Sequence, residues 1–171
     1  MKQFIFFWLI LVQFSESFSQ ESIFTIARSG TVEQVKELMK MQPNCINQKN
    51  SDGYTPLILA CYRSNNEVAV FFIENGAVID ENSPMGTALM AAIVKGNNDI
   101  VSLLLDKNAA VNVTDNQGIT PLMYAVQFKN SVVVKLLLSH NADKTKVDSK
   151  GKTAFEYAVF SGNEEIINLL K

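Results

Sequence analysis

The sequence predicts an all-α solenoid of about five helix-turn-helix repeats joined by β-turn loops. The first observation is a threonine that returns with steps of 32, 33 and 33 residues, at Thr55, Thr87, Thr120 and Thr153. The second is an alanine five residues after each threonine, and the third is an apolar segment with helical spacing in the second half of every repeat. A period of this length is typical of one supersecondary unit stacked on copies of itself, because each unit alone cannot bury its apolar face.

The first helix of each repeat is predicted to begin at the recurring threonine. Thr55 and Thr120 stand at the N-cap, where the hydroxyl accepts the unpaired amides of the first helical turn. Pro56 and Pro121 follow at the first helical position, where a missing amide costs nothing. The recurring alanines lie in these helices and are small enough to let neighbouring helices approach closely: Ala60, Ala92, Ala125 and Ala158.

A polar break leads to a second helix, whose apolar residues predict the core. These residues are Val35, Leu38, Val68, Phe71, Phe72, Ile100, Leu103, Leu104, Val133, Leu136, Leu137, Ile166, Leu169 and Leu170. The second helices of the three inner repeats end at residues suited to the left-handed conformation, Gly76, Asn108 and Asn141.

The loops between repeats carry β-turn residues. An asparagine or aspartate stands five residues before each threonine, at Asn50, Asn82, Asp115 and Asp148. A glycine stands two residues before three of the threonines, at Gly53, Gly118 and Gly151. A short polar side chain that closes the turn, followed by a glycine with positive φ, is typical of such loops.

These positions resemble the ankyrin repeat, whose pattern runs Asp-x-x-Gly-x-Thr-Pro-Leu-x-x-Ala, then Gly, a Val/Leu-rich helix and Gly-Ala-x-x-Asn. The stretch from Asp115 to Ala142 follows this pattern closely, and the resemblance covers about residues 21–171. We therefore predict an ankyrin-repeat domain at 20–171. Its expected repeats are 20–49, 50–81, 82–114, 115–147 and 148–171, and the first is degenerate because it lacks the Thr-Pro start.

Two departures from the ankyrin pattern are visible. The histidine common after Thr-Pro-Leu is replaced by other residues, at Ile58, Met90, Met123 and Glu156, so its inter-repeat hydrogen bonds are expected to be absent. The third repeat is one residue shorter and has Met85-Gly86 where a Gly-x pair is expected. This predicts a deformed turn, with a solenoid that bends or frays there.

Residues 1–19 are predicted to be a signal peptide cleaved after Ser19. Lys2 precedes an apolar run from Phe4 to Val12, which is too short to span a bilayer but suits a secretory leader. Ser17 and Ser19 fit the small positions of a cleavage site. The segment is also compatible with an uncleaved membrane anchor, or with an apolar helix docked on the first repeat. Export predicts a periplasmic or extracellular protein without stable membrane insertion after cleavage.

Composition and motifs favour neither nucleic-acid binding nor catalysis. The net charge is −2, and no basic stripe that would attract nucleic acid is visible. The one histidine, His140, stands beside the end of a predicted helix, where a structural role is expected. No metal or cofactor motif is present. Cys45 and Cys61 are compatible with a disulfide in an oxidising compartment, but Cys61 replaces a packed alanine, where a free thiol also fits.

The resemblance implies that the concave surface binds a partner protein. Among the positions that point into it, the predicted partner contacts are Tyr54, Tyr62, Arg63, Lys95, Ile119, Gln127, Phe128, Lys152 and Phe160. Tyr54, Tyr62 and Arg63 are the leading contacts, since tyrosine and arginine are enriched in interface hot spots. The alternative for Phe128 and Phe160 is packing in the core.

We therefore predict a monomeric, non-enzymatic module that binds another protein and holds no cofactor. Its expected role is that of an inhibitor, an immunity factor or an accessory factor in the periplasm. Two alternatives stay open: a stress-protection protein that assists a redox enzyme or binds a cofactor such as haem, and a secreted effector that acts on host proteins.

Overall fold

The computed structural model describes residues 22–171 and confirms the all-α solenoid. Five helix pairs follow one another along this part of the chain. Their bounds are α1 Ile23–Ser29, α2 Val32–Met41, α3 Pro56–Arg63, α4 Asn66–Glu74, α5 Ala88–Val94, α6 Asn98–Asp106, α7 Pro121–Gln127, α8 Ser131–Ser139, α9 Ala154–Ser161 and α10 Glu164–Leu170. A short 3₁₀ helix, Pro43–Asn47, follows α2. The first helices stack in one layer and the second helices in another.

The threonine caps are confirmed. The Thr55 hydroxyl accepts the Ile58 amide at 3.3 Å, and Pro56 opens the helix that follows. Thr87, Thr120 and Thr153 cap their own helices in the same way. In the degenerate first repeat, the Ser22 hydroxyl accepts the Thr25 amide at 3.3 Å. The first repeat therefore keeps the capping chemistry although it has lost the Thr-Pro start.

The core lies between the two helix layers and is continuous along the stack. Phe72, Leu104 and Leu137 are each fully buried in it. Four of the predicted core residues are only partly buried and pack against the edge of the core: Phe71, Leu103, Leu136 and Leu169. Helical spacing predicted burial for these positions as well as for their neighbours. Each second helix, however, turns only one side fully inward.

A row of asparagines supplies hydrogen bonds between successive repeats. The Asn65 side chain donates to the Gly30 carbonyl at 2.9 Å, and the Asn130 side chain donates to Asn98 Oδ1 at 2.7 Å. In the loops, the Asn112 side chain accepts the Asp143 amide and donates to the Asn141 carbonyl. Polar contacts thus join the repeats although the histidine of the ankyrin pattern is missing.

The predicted deformed turn in the third repeat is confirmed. Ser83 and Gly86 exchange two backbone hydrogen bonds, of 3.1 and 2.9 Å, whereas the corresponding loop of the second repeat spans Asn50 to Tyr54. Gly86 has φ of +93°, which the shorter turn requires. The turn does not interrupt the stack, because α5 packs against both α3 and α7.

Within residues 22–171, no helix has the length and apolar character needed to cross a membrane. The predicted signal peptide, its cleavage after Ser19 and its two alternatives lie outside the described residues.

Candidate functional site

A groove of about 300 Å³ crosses the exposed side of the first helices. Residues of α1, α3, α5 and α7 contribute to its walls, together with two of the preceding turns. Its floor contains Ile58, Leu59, Met90 and Ala91, and aromatic and basic side chains stand around it.

The groove brings together four of the nine predicted contact residues. Tyr54, Tyr62, Arg63 and Phe128 all line it. A fifth, Lys95, lies at its edge, because the Lys95 ammonium is 4.6 Å from the centre of the Tyr62 ring. Gln127 is exposed next to Phe128, although it does not line the groove. Their role in partner binding stays a prediction.

Lys152 and Phe160 lie elsewhere, in the last repeat. They line a separate shallow surface with Phe155 and Val159. Phe155 is 36% exposed, whereas Leu122, at the same position one repeat earlier, is 1% exposed. The difference arises because no further repeat of the described chain covers Phe155.

The expected exposure of Ile119 is wrong. Its side chain is only 7% exposed and belongs to the hydrophobic core. Asp115 accepts the backbone amides of Gln117 and Ile119, at 2.8 and 2.9 Å. This turn holds Ile119 against the stack, so its side chain is not available on the surface.

The structure decides between the two alternatives for the phenylalanines. Phe128 is 52% exposed and Phe160 is 92% exposed, so neither is packed in the core. Phe128 stands at the C-cap of α7, where its backbone amide completes the helix.

Sequence reasoning missed a pair of tyrosine–aspartate hydrogen bonds. The Tyr124 hydroxyl donates to Asp115 Oδ2 at 2.7 Å, and the Tyr157 hydroxyl donates to Asp148 Oδ2. Burial, reinforced by the bond to the Asp115 carboxylate, raises the pKa of Tyr124 above its usual value. The bond to Asp148 raises the pKa of Tyr157 to about 12. Each tyrosine is thereby pinned to the loop of its own repeat.

A signal for these pairs was present in the sequence. In the fourth and fifth repeats, a tyrosine follows the loop aspartate by nine residues. In the second and third repeats, the loop residue is Asn50 or Asn82, and Leu59 or Ala91 stands nine residues later. Because Leu59 and Ala91 are smaller than tyrosine, they leave space on the floor of the groove.

The charges around the groove are unbalanced. Arg28 and Arg63 line it, Lys95 stands at its edge, and Asp52 is its one acidic lining residue. Among residues 22–171, the ion pairs are Lys40–Glu37, Lys49–Glu81 and Lys135–Glu165, so the cations of the groove have no carboxylate partner there. Among the described residues, the Arg28 guanidinium donates to the Phe24 carbonyl, at 3.4 Å.

Other reactive side chains serve the fold. His140 stands at the C-cap of α8, and its Nδ1 lies 2.9 Å from the Leu136 carbonyl oxygen, which agrees with its expected structural role. Cys45 and Cys61 are buried free thiols. Burial raises the pKa of the Cys61 thiol to about 12, so it stays protonated and unreactive at neutral pH.

The chain is similar to one family model and to several known proteins. A family model described as ankyrin repeats (3 copies) matches residues 23–115 and 89–171. The rice (Oryza sativa subsp. japonica) BTB/POZ domain and ankyrin repeat-containing protein NPR3 is 44% identical over 50 residues, which cover 29% of this chain and 8% of the rice protein. The mouse (Mus musculus) ankyrin repeat and SAM domain-containing protein 6 is 35% identical over 80 residues, which cover 46% of this chain and 9% of the mouse protein.

A rat (Rattus norvegicus) protein of the same name as the mouse relative is 30% identical over 100 residues. These residues make up 57% of this chain and 11% of the rat protein. The chain thus spans about a tenth of the length of these curated relatives.

Proposed function

Because the chain belongs to the ankyrin repeat family, whose repeats are protein–protein interaction modules, we propose that it binds one partner protein through the groove. The module acts as an exported monomer and performs no catalysis. The observation that carries this proposal is the convergence of Tyr54, Tyr62, Arg63 and Phe128 on one apolar depression.

Exposure supports this use of the groove. Tyr62 is 37% exposed and Phe128 is 52% exposed, and both are large apolar side chains at the surface. Aromatic and arginine side chains around a depression are typical of the energetic centre of an interface, which a more polar rim surrounds. Lys95 and Gln127 are exposed and suit the rim.

The proposed compartment follows from the N-terminal leader pattern. If the source is a bacterium, the cleaved protein acts in the periplasm, as an inhibitor or immunity factor for a toxin or enzyme, or as an accessory factor of the envelope. A toxin gene next to its own gene would favour the immunity role. The haem-binding alternative has less support, because the one histidine of the sequence is engaged at the end of α8.

Binding through the groove is tested by quantitative capture of a partner from the native envelope fraction. We expect Tyr54→Ala/Tyr62→Ala to recover at least about tenfold less partner than the unaltered protein, since hot-spot losses reach 2 kcal/mol or more. The matched control is Val132→Ala/Val147→Ala, which alters two exposed side chains away from the groove. Equal recovery by the two double variants, with equal thermal midpoints, would reject the groove as the contact surface.

Export is tested separately by N-terminal sequencing of the protein from its native source. A mature chain that begins at Gln20 is expected. Retention of Met1 on the purified protein would reject cleavage and leave the anchor or the docked helix.

A further inference from the structure

The chemistry of the groove indicates what it recognises. We infer that it binds a short, extended, acidic segment of the partner that carries one large apolar side chain. This inference rests on the proposed function and names the chemistry of the partner at the same site. Charge, shape and length each contribute to it.

The charge of the groove is opposite to that of the whole chain. The chain has a net charge of −2, yet Arg28, Arg63 and Lys95 surround the groove and Asp52 is its one acidic lining residue. None of the three cations pairs with a carboxylate within the described residues. Unpaired cations beside an apolar floor strengthen attraction to carboxylates, because the floor excludes part of the screening water. A segment rich in glutamate or aspartate complements this surface.

The floor of the groove accepts one bulky apolar side chain. Leu59 and Ala91 occupy the positions at which the later repeats have Tyr124 and Tyr157. Tyr124 itself stands on the far side, held by Asp115, and Phe128 is beside it in the lining. Met85 and Met90 also line the groove, and methionine adapts its shape to an incoming group. A phenylalanine or leucine side chain suits this depression.

The span of the groove sets the length of the segment. Its lining runs from Arg28 on α1, across α3 and α5, to Phe128 at the end of α7. Three steps between packed helices, each of about 8–10 Å, make about 24–30 Å. An extended chain advances about 3.3 Å per residue, so about seven to nine residues cross the groove.

The test measures fluorescence anisotropy with three labelled nine-residue peptides and the protein obtained by expressing the full-length chain. The first peptide has a central phenylalanine, two glutamates on each side, and serines at the ends. The second replaces the glutamates with lysines, and the third replaces the phenylalanine with serine. We expect the first peptide to bind at least about tenfold more tightly than either of the others. We also expect its affinity to fall as sodium chloride rises, because salt screens exposed charges.

A pair of variants assigns the effect to the groove. Arg28→Gln/Arg63→Gln is expected to weaken binding of the acidic peptide at least about tenfold and to flatten its salt dependence. Lys107→Gln/Lys144→Gln removes the same charge from exposed positions away from the groove and is expected to leave the affinity within about twofold. Equal losses in both variants, or equal binding of the glutamate and lysine peptides, would overturn the inference.

Two further probes separate peptide recognition from general attraction to anions. Vesicles of phosphatidylglycerol and a single-stranded oligonucleotide are expected to bind weakly, with no change in Arg28→Gln/Arg63→Gln. Tighter binding to either probe than to the acidic peptide would overturn the inference. If no peptide binds but Tyr54→Ala/Tyr62→Ala still loses the captured partner, the proposed function stands and the acidic-segment inference fails.

Discussion

The second and third repeats differ from the fourth and fifth at one pair of positions. The later repeats join a loop aspartate to a tyrosine of the first helix, as Asp115 does with Tyr124. The earlier repeats have an asparagine in the loop, and Leu59 or Ala91 in the helix. The loop backbone is nevertheless closed in the same way in the second and fourth repeats, because Asn50 and Asp115 both accept two amides of their turn.

This comparison separates closure of the loop from coverage of the inner surface within one repeat. The loop needs only an acceptor oxygen, which asparagine and aspartate both provide. The carboxylate has a second oxygen that accepts the tyrosine hydroxyl, and the ring then covers the inner surface of its repeat. Where the tyrosine is missing, the surface is open, and this is where the groove lies.

The largest expected loss of stability comes from core substitutions. It should be the same in the earlier and the later repeats, because their cores do not differ. Leu104 in the third repeat and Leu137 in the fourth are both fully buried. Leu104→Ala and Leu137→Ala are each expected to cost about 2–5 kcal/mol of unfolding free energy, since each leaves a cavity between stacked helices. Urea denaturation measures both. Unchanged midpoints in both variants would show that the core assignment is wrong.

Replacing either of two loop glycines by alanine is expected to lower stability, by an amount that depends on the atoms beside the glycine. Gly118 and Gly151 both have positive φ, which costs another residue about 1–2 kcal/mol. A Cβ on Gly118 would lie 3.0 Å from the Ser149 amide nitrogen, whereas a Cβ on Gly151 meets nothing within 4 Å. Gly118→Ala should therefore lower the thermal midpoint more than Gly151→Ala does. The reverse order would contradict the packing of these loops.

Converting the second repeat to the chemistry of the fourth should close part of the groove. In Asn50→Asp/Leu59→Tyr, the added ring is expected to lie over the floor, with its hydroxyl bonded to the new carboxylate. Anisotropy should show about tenfold weaker binding of the acidic peptide. Leu59→Met, which keeps the volume similar, is expected to bind normally. If the double variant also binds normally, the open floor is not the apolar subsite.

Removing the tyrosine hydroxyls should have a smaller effect on stability. Tyr124→Phe is expected to cost about 1 kcal/mol, because it leaves an Asp115 oxygen without its partner in a partly buried place. Tyr157→Phe is expected to cost less, since its loop has the exposed Lys152 where the loop of Tyr124 has the buried Ile119. Denaturant midpoints of the two variants test this order, and a larger loss for Tyr157→Phe would contradict it.

A pH-dependent effect is expected in the fifth repeat at alkaline pH. Folding raises the pKa of Tyr157 from about 10 to about 12, because its hydroxyl donates to the Asp148 carboxylate. The stabilisation is fully present below about pH 10 and is lost as the pH rises toward about 12. The denaturant midpoint of the unaltered protein should therefore fall more between pH 9.5 and about 11.5 than that of Tyr157→Phe. Parallel curves would show that this hydrogen bond does not contribute.

Most of the fold could be predicted from the sequence, because the rules that govern it act over a few residues. A threonine cap, a proline at the first helical turn and a glycine or asparagine with positive φ each act within their own turn. Thr120, Pro121 and Asn141 accordingly stand where they were expected. The resemblance to the ankyrin pattern placed Tyr54, Tyr62, Arg63 and Phe128 on the side of the groove, but it also placed Ile119 there, which is buried.

The sequence by itself determined the period, the caps, the turns and the main core residues of this protein, because local geometry and helical spacing specify them. Only the tertiary structure decided that Ile119 is buried, that Phe128 and Phe160 are exposed, and that Tyr124 reaches Asp115. These outcomes depend on what the neighbouring repeat places against each side chain. A repeat of the same local design can therefore close its inner surface or leave it open, as it is in the groove.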